Sequence, residues 1–130
     1  MELSIIPISK IDFDDETFFV GSVGDISPLI ISINELGLIN PPVLREKGEK
    51  YQIICGRRRL RACRELMLDG VLSRVYRWDE ISNEKCLKLL FYENQARFGD
   101  IERGELILKF RELCNLTEGE LTKYWNFSVS

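Results

Sequence analysis

The stretch YQIICGRRRLRACREL, residues 51–66, decides the reading of this chain. Tyr51 to Ile54 read as a strand. Gly56 breaks it, and from Arg57 to about Leu68 the pattern turns helical, with Leu60, Cys63 and Met67 as the expected apolar stripe. Five arginines and no acid lie between Arg57 and Arg64. A helix N-terminus already presents partial positive charge and free N–H groups, so cations are disfavoured there. Two readings follow. One is a solvated basic face paired with acids elsewhere. The other is an anion site, with Gly56 admitting close backbone approach and the guanidinium forks of Arg58 and Arg61, three apart on one face, suited to phosphate oxygens. The strand-to-helix corner favours the anion site. The chain has no Walker-type glycine–lysine loop.

Working outward, Val43–Arg45 and Tyr51–Ile54 form an expected hairpin about Lys47-Gly48-Glu49-Lys50. Before it, Asp25 or Ser27 can cap a helix with Pro28 in its first turn, Leu29, Ile30, Ile33 and Leu36 on one face, and Gly37 as the stop. LSIIPI at residues 3–8 reads as a strand near an edge, and Asp12 to Glu16 as an acidic loop. After the arginines, Arg74–Trp78 is an expected strand. Ser82 or Asn83 opens a helix to about Arg97 with Leu87, Leu90 and Phe91 inward, and Asp100 caps another to about Cys114. Thr117 and Glu120 have capping-box spacing for a short helix, Glu118 to Trp125. The last residues read like a turn, so the chain is expected to be truncated. The expected fold class is α+β: a small mixed sheet packed with helices, followed by C-terminal helices.

At 130 residues, 45% hydrophobic and 30% charged, the chain has enough material for a real core. It has no histidine, which removes Ser/His/Asp and Cys/His catalysis and His-ligated metals. Its four cysteines form no C-x-x-C pair and read as reduced thiols, three of them in apolar patterns. Apolar runs are far shorter than the roughly 20 residues of a membrane helix, and no secretory signal is visible. A cytoplasmic protein with no membrane partner is expected. The net charge of −3 speaks against a whole-chain nucleic-acid footprint and makes the local arginine cluster stand out as a site for a small anion.

A second polar constellation is FYENQARFGDIERGE, residues 91–105. Glu93 and Asn94 pair a carboxylate with an amide oxygen, which suits a hydrated magnesium ion. The plain alternative is the polar end of a surface helix.

The ordered set of IIPISKI, the Ser32–Val43 segment SINELGLINPPV, the Gly56–Ala62 arginine box and the Glu93-Asn94 box resembles the N-terminal domain of ParB-type partition proteins, from about Ile5 to Cys114. The fold this implies is the one shared by ParB and sulfiredoxin. The resemblance implies a domain that binds CTP with Mg2+ and switches between open and clamped dimers on DNA. It implies phosphate contacts at Gly56, Arg57, Arg58, Arg59, Arg61 and Ala62, a nucleobase pocket at Gly37, Leu38, Asn40 and Pro41, metal support at Glu93 and Asn94, and a hydrolytic role for Glu93 in a slow CTPase. It divides the chain into a nucleotide-binding domain at 1–112 and the first helix of a helix-turn-helix domain at 113–130. Its partners would be DNA, a second copy and a partition ATPase, at the nucleoid.

The chain departs from the family pattern in carrying Arg57 in place of the usual glutamate, and ENQAR with Ala96 in place of a glutamine. Sulfiredoxin itself needs a cysteine in this box, and Gly56-Arg57-Arg58-Arg59 has none. The alternatives on the same fold are a nucleotide-dependent phosphotransferase or nuclease, and an interaction domain without ligand.

Overall fold

In a computed structural model, which describes residues 1–117, 119, 120 and 122, the chain forms two compact units, Met1–Ile81 and Ser82–Ser130. The first holds a five-stranded mixed sheet. Its strands are β1 (Glu2–Pro7), β2 (Ile11–Asp12), β3 (Val43–Lys47), β4 (Lys50–Cys55) and β5 (Gly70–Tyr76), in the order β1-β5-β3-β4-β2. β1 runs antiparallel to β5 and β3 antiparallel to β4, while β5 pairs parallel with β3 and β2 parallel with β4. Two helices complete the unit, α1 (Ser27–Leu36) and α2 (Arg57–Glu65). This is an α+β architecture, as the sequence patterns imply.

The β3–β4 hairpin forms where expected, turning at Gly48. β5 begins four residues earlier than the Arg74 of the sequence reading. Val71, Ser73 and Val75 alternate inward against outward Leu72 and Arg74. A serine in a buried slot hides that period of two; its hydroxyl is satisfied by donating to Val71 O at 3.0 Å. One core cluster gathers Ile6, Ile11, Ile33, Leu44, Ile53, Leu60, Ala62, Cys63, Val71 and Val75 from every strand and both helices. Met67, expected in the α2 stripe, is instead 87% exposed. The helix ends at Glu65, and Met67 lies beyond it at φ 58°. Ala62 takes the inward place. On α1, Ile33 is buried and Leu29 and Ile30 pack partly on the cluster, but Leu36 is exposed at the last turn.

The second unit carries α3 (Asn83–Glu93) and α4 (Asp100–Cys114). Ser82 caps α3 by accepting from the Lys85 N–H at 3.1 Å. The helix stops at Glu93, short of Arg97: Asn94 N–H still makes the helical bond to Leu90 O (3.2 Å), and its side-chain Nδ2 folds onto the same oxygen at 2.9 Å. Arg97 and Phe98 then donate to Asn94 O, both at 2.9 Å. Cys86, Leu87, Leu90, Phe91, Phe98, Leu106 and Phe110 are buried. Gly99 caps α4 in an extended conformation, so Asp100 is the first helical residue and not the cap. Thr117 Oγ1 accepts from Glu120 N–H at 3.3 Å, one half of the capping box. Most of the expected helix Glu118–Trp125 lies outside the described residues. The division between units falls inside the 1–112 span, and residue 112 itself lies within α4. Cys55, Cys63 and Cys86 are buried and Cys114 is partly buried. No helix among the described residues is long and apolar enough to cross a membrane.

Gly56 joins β4 to α2 at φ 93°, and a Cβ there would sit 2.8 Å from Pro42 Cβ. Gly104, inside α4, has nothing within 4 Å of a Cβ beyond its own helix. Gly56→Ala is therefore expected to destabilise the protein by about 2–3 kcal/mol, and Gly104→Ala to stabilise it by up to about 1 kcal/mol. Chemical denaturation of the two variants checks the opposite signs.

Candidate functional site

Gly56 caps α2 in the left-handed conformation, with no side chain bonded to the helix start. The tight fit against Pro42 brings the segment after α1 to the arginine box. Gly37 closes α1 at φ 75°, its N–H donating to Ile33 O at 2.8 Å. Leu38 packs on the core, and Asn40 O accepts from Arg59 Nη1 at 2.9 Å. Gly37, Leu38, Asn40 and Pro41 thus follow one turn, which Arg59 ties to α2.

The arginines divide by what they touch. Arg57 donates to the carbonyls of Phe13 and Asp15 and lies 5.0 Å from the Phe19 ring centroid. Arg58 donates through Nε to Val23 O (2.8 Å) and through Nη2 to Asp25 O (3.0 Å), bracing the loop before α1. Arg64 stacks 4.0 Å from the Phe13 centroid. Arg61 differs: its Nε is buried with no hydrogen-bond partner among the described residues. Burial lowers the Arg57 pKa from its ordinary value and Arg61 lowers it further, while Glu16, Asp15 and Asp12 oppose the shift. Ala62 is fully buried and belongs to the core, so it shapes the corner from behind.

A polar cluster invisible to the sequence reading lies next to this corner. Arg45 on β3 is 2% exposed. It donates to Gln52 Oε1 through Nε (3.0 Å) and Nη2 (2.7 Å), and to Ile81 O through Nη1 at 3.4 Å. Its guanidinium lies 3.9 Å from the Trp78 ring centroid and 5.3 Å from that of Phe18. Gln52 Nε2 in turn donates to Asp15 Oδ2 at 3.1 Å, and Lys47 Nζ reaches the same oxygen at 2.8 Å. Thr17 donates to Asp15 Oδ1 through its hydroxyl (2.6 Å) and its N–H (3.0 Å). The one sequence signal is that Arg45 and Gln52 face each other in the hairpin register, next to the apolar pair of Leu44 and Ile53.

Glu93 and Asn94 lie in the second unit, Glu93 exposed in the last turn of α3 and Asn94 closing that helix. The donor set is a carboxylate and an amide oxygen, the hard ligands magnesium takes alongside waters. Asn94 Nδ2 is committed to Leu90 O, so Oδ1 is the atom it could offer to a metal. No group of three or more Cys, Asp or Glu side chains converges among the described residues.

The model of the ParB N-terminal domain family matches residues 2–95. The chain belongs to the ParB N-terminal domain family. It is 31% identical over 124 residues to a nucleoid occlusion protein of Shouchella clausii, covering 94% of this chain and 42% of that protein. It is 40% identical over 133 residues to a probable chromosome-partitioning protein ParB of Chlamydia muridarum, covering 95% and 45%. The chain spans about two-fifths of the length of the curated relatives it matches. Among solved structures it is similar, at 24% identity and a TM-score of 0.60, to the C-terminally truncated chromosome-partitioning protein ParB of Caulobacter crescentus complexed with CTP-γ-S. That match covers 95% of this chain and 71% of the other, and shows the shared ParB fold.

Burial alone would raise the Asp15 pKa, but the Lys47 ammonium and the Thr17 hydroxyl and N–H outweigh it and hold the carboxyl at about 2. A folded-state pKa below the ordinary 3.8 contributes stability that is complete above that value and is lost as pH falls toward 2. The contribution is about 2 kcal/mol at most. Unfolding between pH 6 and 2 is expected to show this loss, and Asp15→Asn to flatten it.

Proposed function

We propose that this chain is the nucleotide-binding domain of a ParB-type partition or regulatory protein, in which CTP carried with Mg2+ switches DNA binding or clamping. The observation that carries the reading is Arg61. Its buried Nε has no hydrogen-bond partner among the described residues, and it stands beside Arg57, one turn along α2 from the Gly56 corner. An unsatisfied buried donor costs free energy, and an anion at this place removes that cost. The Caulobacter relative complexed with CTP-γ-S supports the choice of nucleotide.

In this reading Gly56, Arg58, Arg59 and Arg61 meet the phosphates, and Ala62 shapes the corner by packing. Gly37, Leu38, Asn40 and Pro41 flank the base, and Arg59 already links Asn40 to the box. Glu93 and Asn94 would hold the magnesium, which neutralises phosphate charge when bound. Glu93 also orients the water of a slow hydrolysis. Residues 1–112 form the nucleotide-binding part, and 113–130 begin the helix-turn-helix that reads DNA. A second copy and a partition ATPase complete the assembly at the nucleoid. The names of the relatives, chromosome-partitioning and nucleoid occlusion proteins, support that setting.

Arg58 and Arg59 are held on backbone carbonyls, so binding exchanges those bonds for phosphate and frees the loops they brace. A ligand can drive such a change only by its differential affinity for the two arrangements.

Calorimetric titration with CTP, ATP and GTP, each with and without magnesium, tests the proposal. Magnesium-dependent binding of CTP is expected, lost in Arg61→Ala. That variant should unfold no earlier than the parent, because it removes an unpaired buried donor. Glu93→Ala is expected to slow CTP hydrolysis more than it weakens binding; equal loss of both would remove its hydrolytic role. Absence of binding by all three nucleotides would favour an interaction domain without ligand.

A further inference from the structure

Arg57 sits in the arginine box, yet its surroundings are unlike those of Arg61. Both ends of its guanidinium fork are bound to carbonyls, of Phe13 and Asp15, and the Phe19 ring lies against it. It faces the acids Asp12, Asp15 and Glu16, whose charges it balances. The segment it grips is held from its other side as well. Asp15 takes Lys47 Nζ, Gln52 Nε2 and both donors of Thr17, and Gln52 is locked by buried Arg45. Arg58 also holds two carbonyls, but Arg57 adds the Phe19 ring and three neighbouring acids, so turning its fork to a phosphate would leave those acids unbalanced beside the ligand.

We infer that Arg57 is a positioning residue and not a phosphate ligand: with Asp15 it pins the Phe13–Phe19 segment beside α2, fixing and neutralising an acidic stretch next to the anion site. An anion approaching the start of α2 is repelled by unbalanced carboxylates nearby. Arg57 offsets Asp12, Asp15 and Glu16, and Lys47 offsets Asp15 again. Arg61, with its unsatisfied Nε, thereby stays available to the ligand together with Arg58 and Arg59. The nucleotide half of this inference rests on the proposed function; the pinning half does not.

The test uses the whole chain with Arg57→Gln, Asp15→Ala and the pair combined. Amide hydrogen exchange over residues 13–19 and thermal unfolding are read without ligand, and CTP affinity is read with magnesium. Each single change is expected to speed exchange across the segment at least about tenfold and to lower the Tm by several degrees. Each should weaken CTP binding about tenfold. The double variant should be little worse than the weaker single, because both break one unit. Asp15→Ala is decisive, since it removes a negative charge beside an anion site and only a positional role makes it weaken binding. Tighter CTP binding in Asp15→Ala would overturn the inference. So would an Arg57→Gln protein that loses CTP while its unliganded exchange and Tm stay unchanged. If Arg57→Gln does not fold, Arg57→Lys keeps the charge but not the two-carbonyl fork. Fast exchange with weakened CTP binding supports the inference there, and wild-type affinity with fast exchange overturns it. Should the parent bind no CTP at all, the nucleotide reading fails, while exchange and Tm still decide whether Arg57 pins the segment.

Discussion

Gly56 has to turn left-handed, because Pro42 occupies the place where any Cβ would go. That contact sets the angle between β4 and α2. It brings Leu60, Ala62 and Cys63 down onto the sheet, and it aims the N-terminus of α2 at the segment that follows α1. Most residues cannot adopt φ 93° without strain of about 1–2 kcal/mol. The glycine is thus a structural requirement before it is a functional one.

Five arginines after such a turn create an electrostatic problem, which the fold distributes. Arg57, Arg58 and Arg59 reach backbone carbonyls of three separate segments, near residues 13–15, 23–25 and 40. Arg64 stacks on Phe13. Charge-assisted bonds to carbonyls satisfy guanidinium donors without introducing a carboxylate at the helix start. The residual misfit collects on Arg61. A cluster that reads in sequence as one motif therefore contains residues with different tasks: bracing loops, stacking on a ring, and holding a donor ready.

Arg45 and Asp15 perform the parallel task on the far side of the 13–19 segment. A guanidinium buried to 2% exposure persists because Gln52 and Ile81 O take its donors and two aromatic rings cover its faces. Asp15 remains ionised despite burial because Lys47 and Thr17 supply charge and donors. The 13–19 segment is thereby fixed to the sheet by polar contacts in addition to buried Phe18 and to Phe13, which packs on the core cluster.

The helices, four of the five strands, the hairpin, the glycine corner and the α3 core face were legible in the sequence, because each rests on local periodicity, turn chemistry or a cap; the two-residue β2 is too short to show a period. So was family membership, which depends on ordered motifs and not on contacts. The start of β5 was hidden because buried Ser73 breaks the apolar alternation, and the end of α3 because Asn94, whose amide folds onto Leu90 O, lies inside a stretch that reads as helix. What each arginine holds could not be read from spacing. Their carbonyl partners lie between 19 and 44 residues away along the chain. Carbonyl acceptors are alike in every residue, so nothing in the sequence marks which one a guanidinium will find. Local chemistry determined the elements and the concentration of charge; only the packing of the sheet, which sets which loops pass α2, decided how that charge is shared.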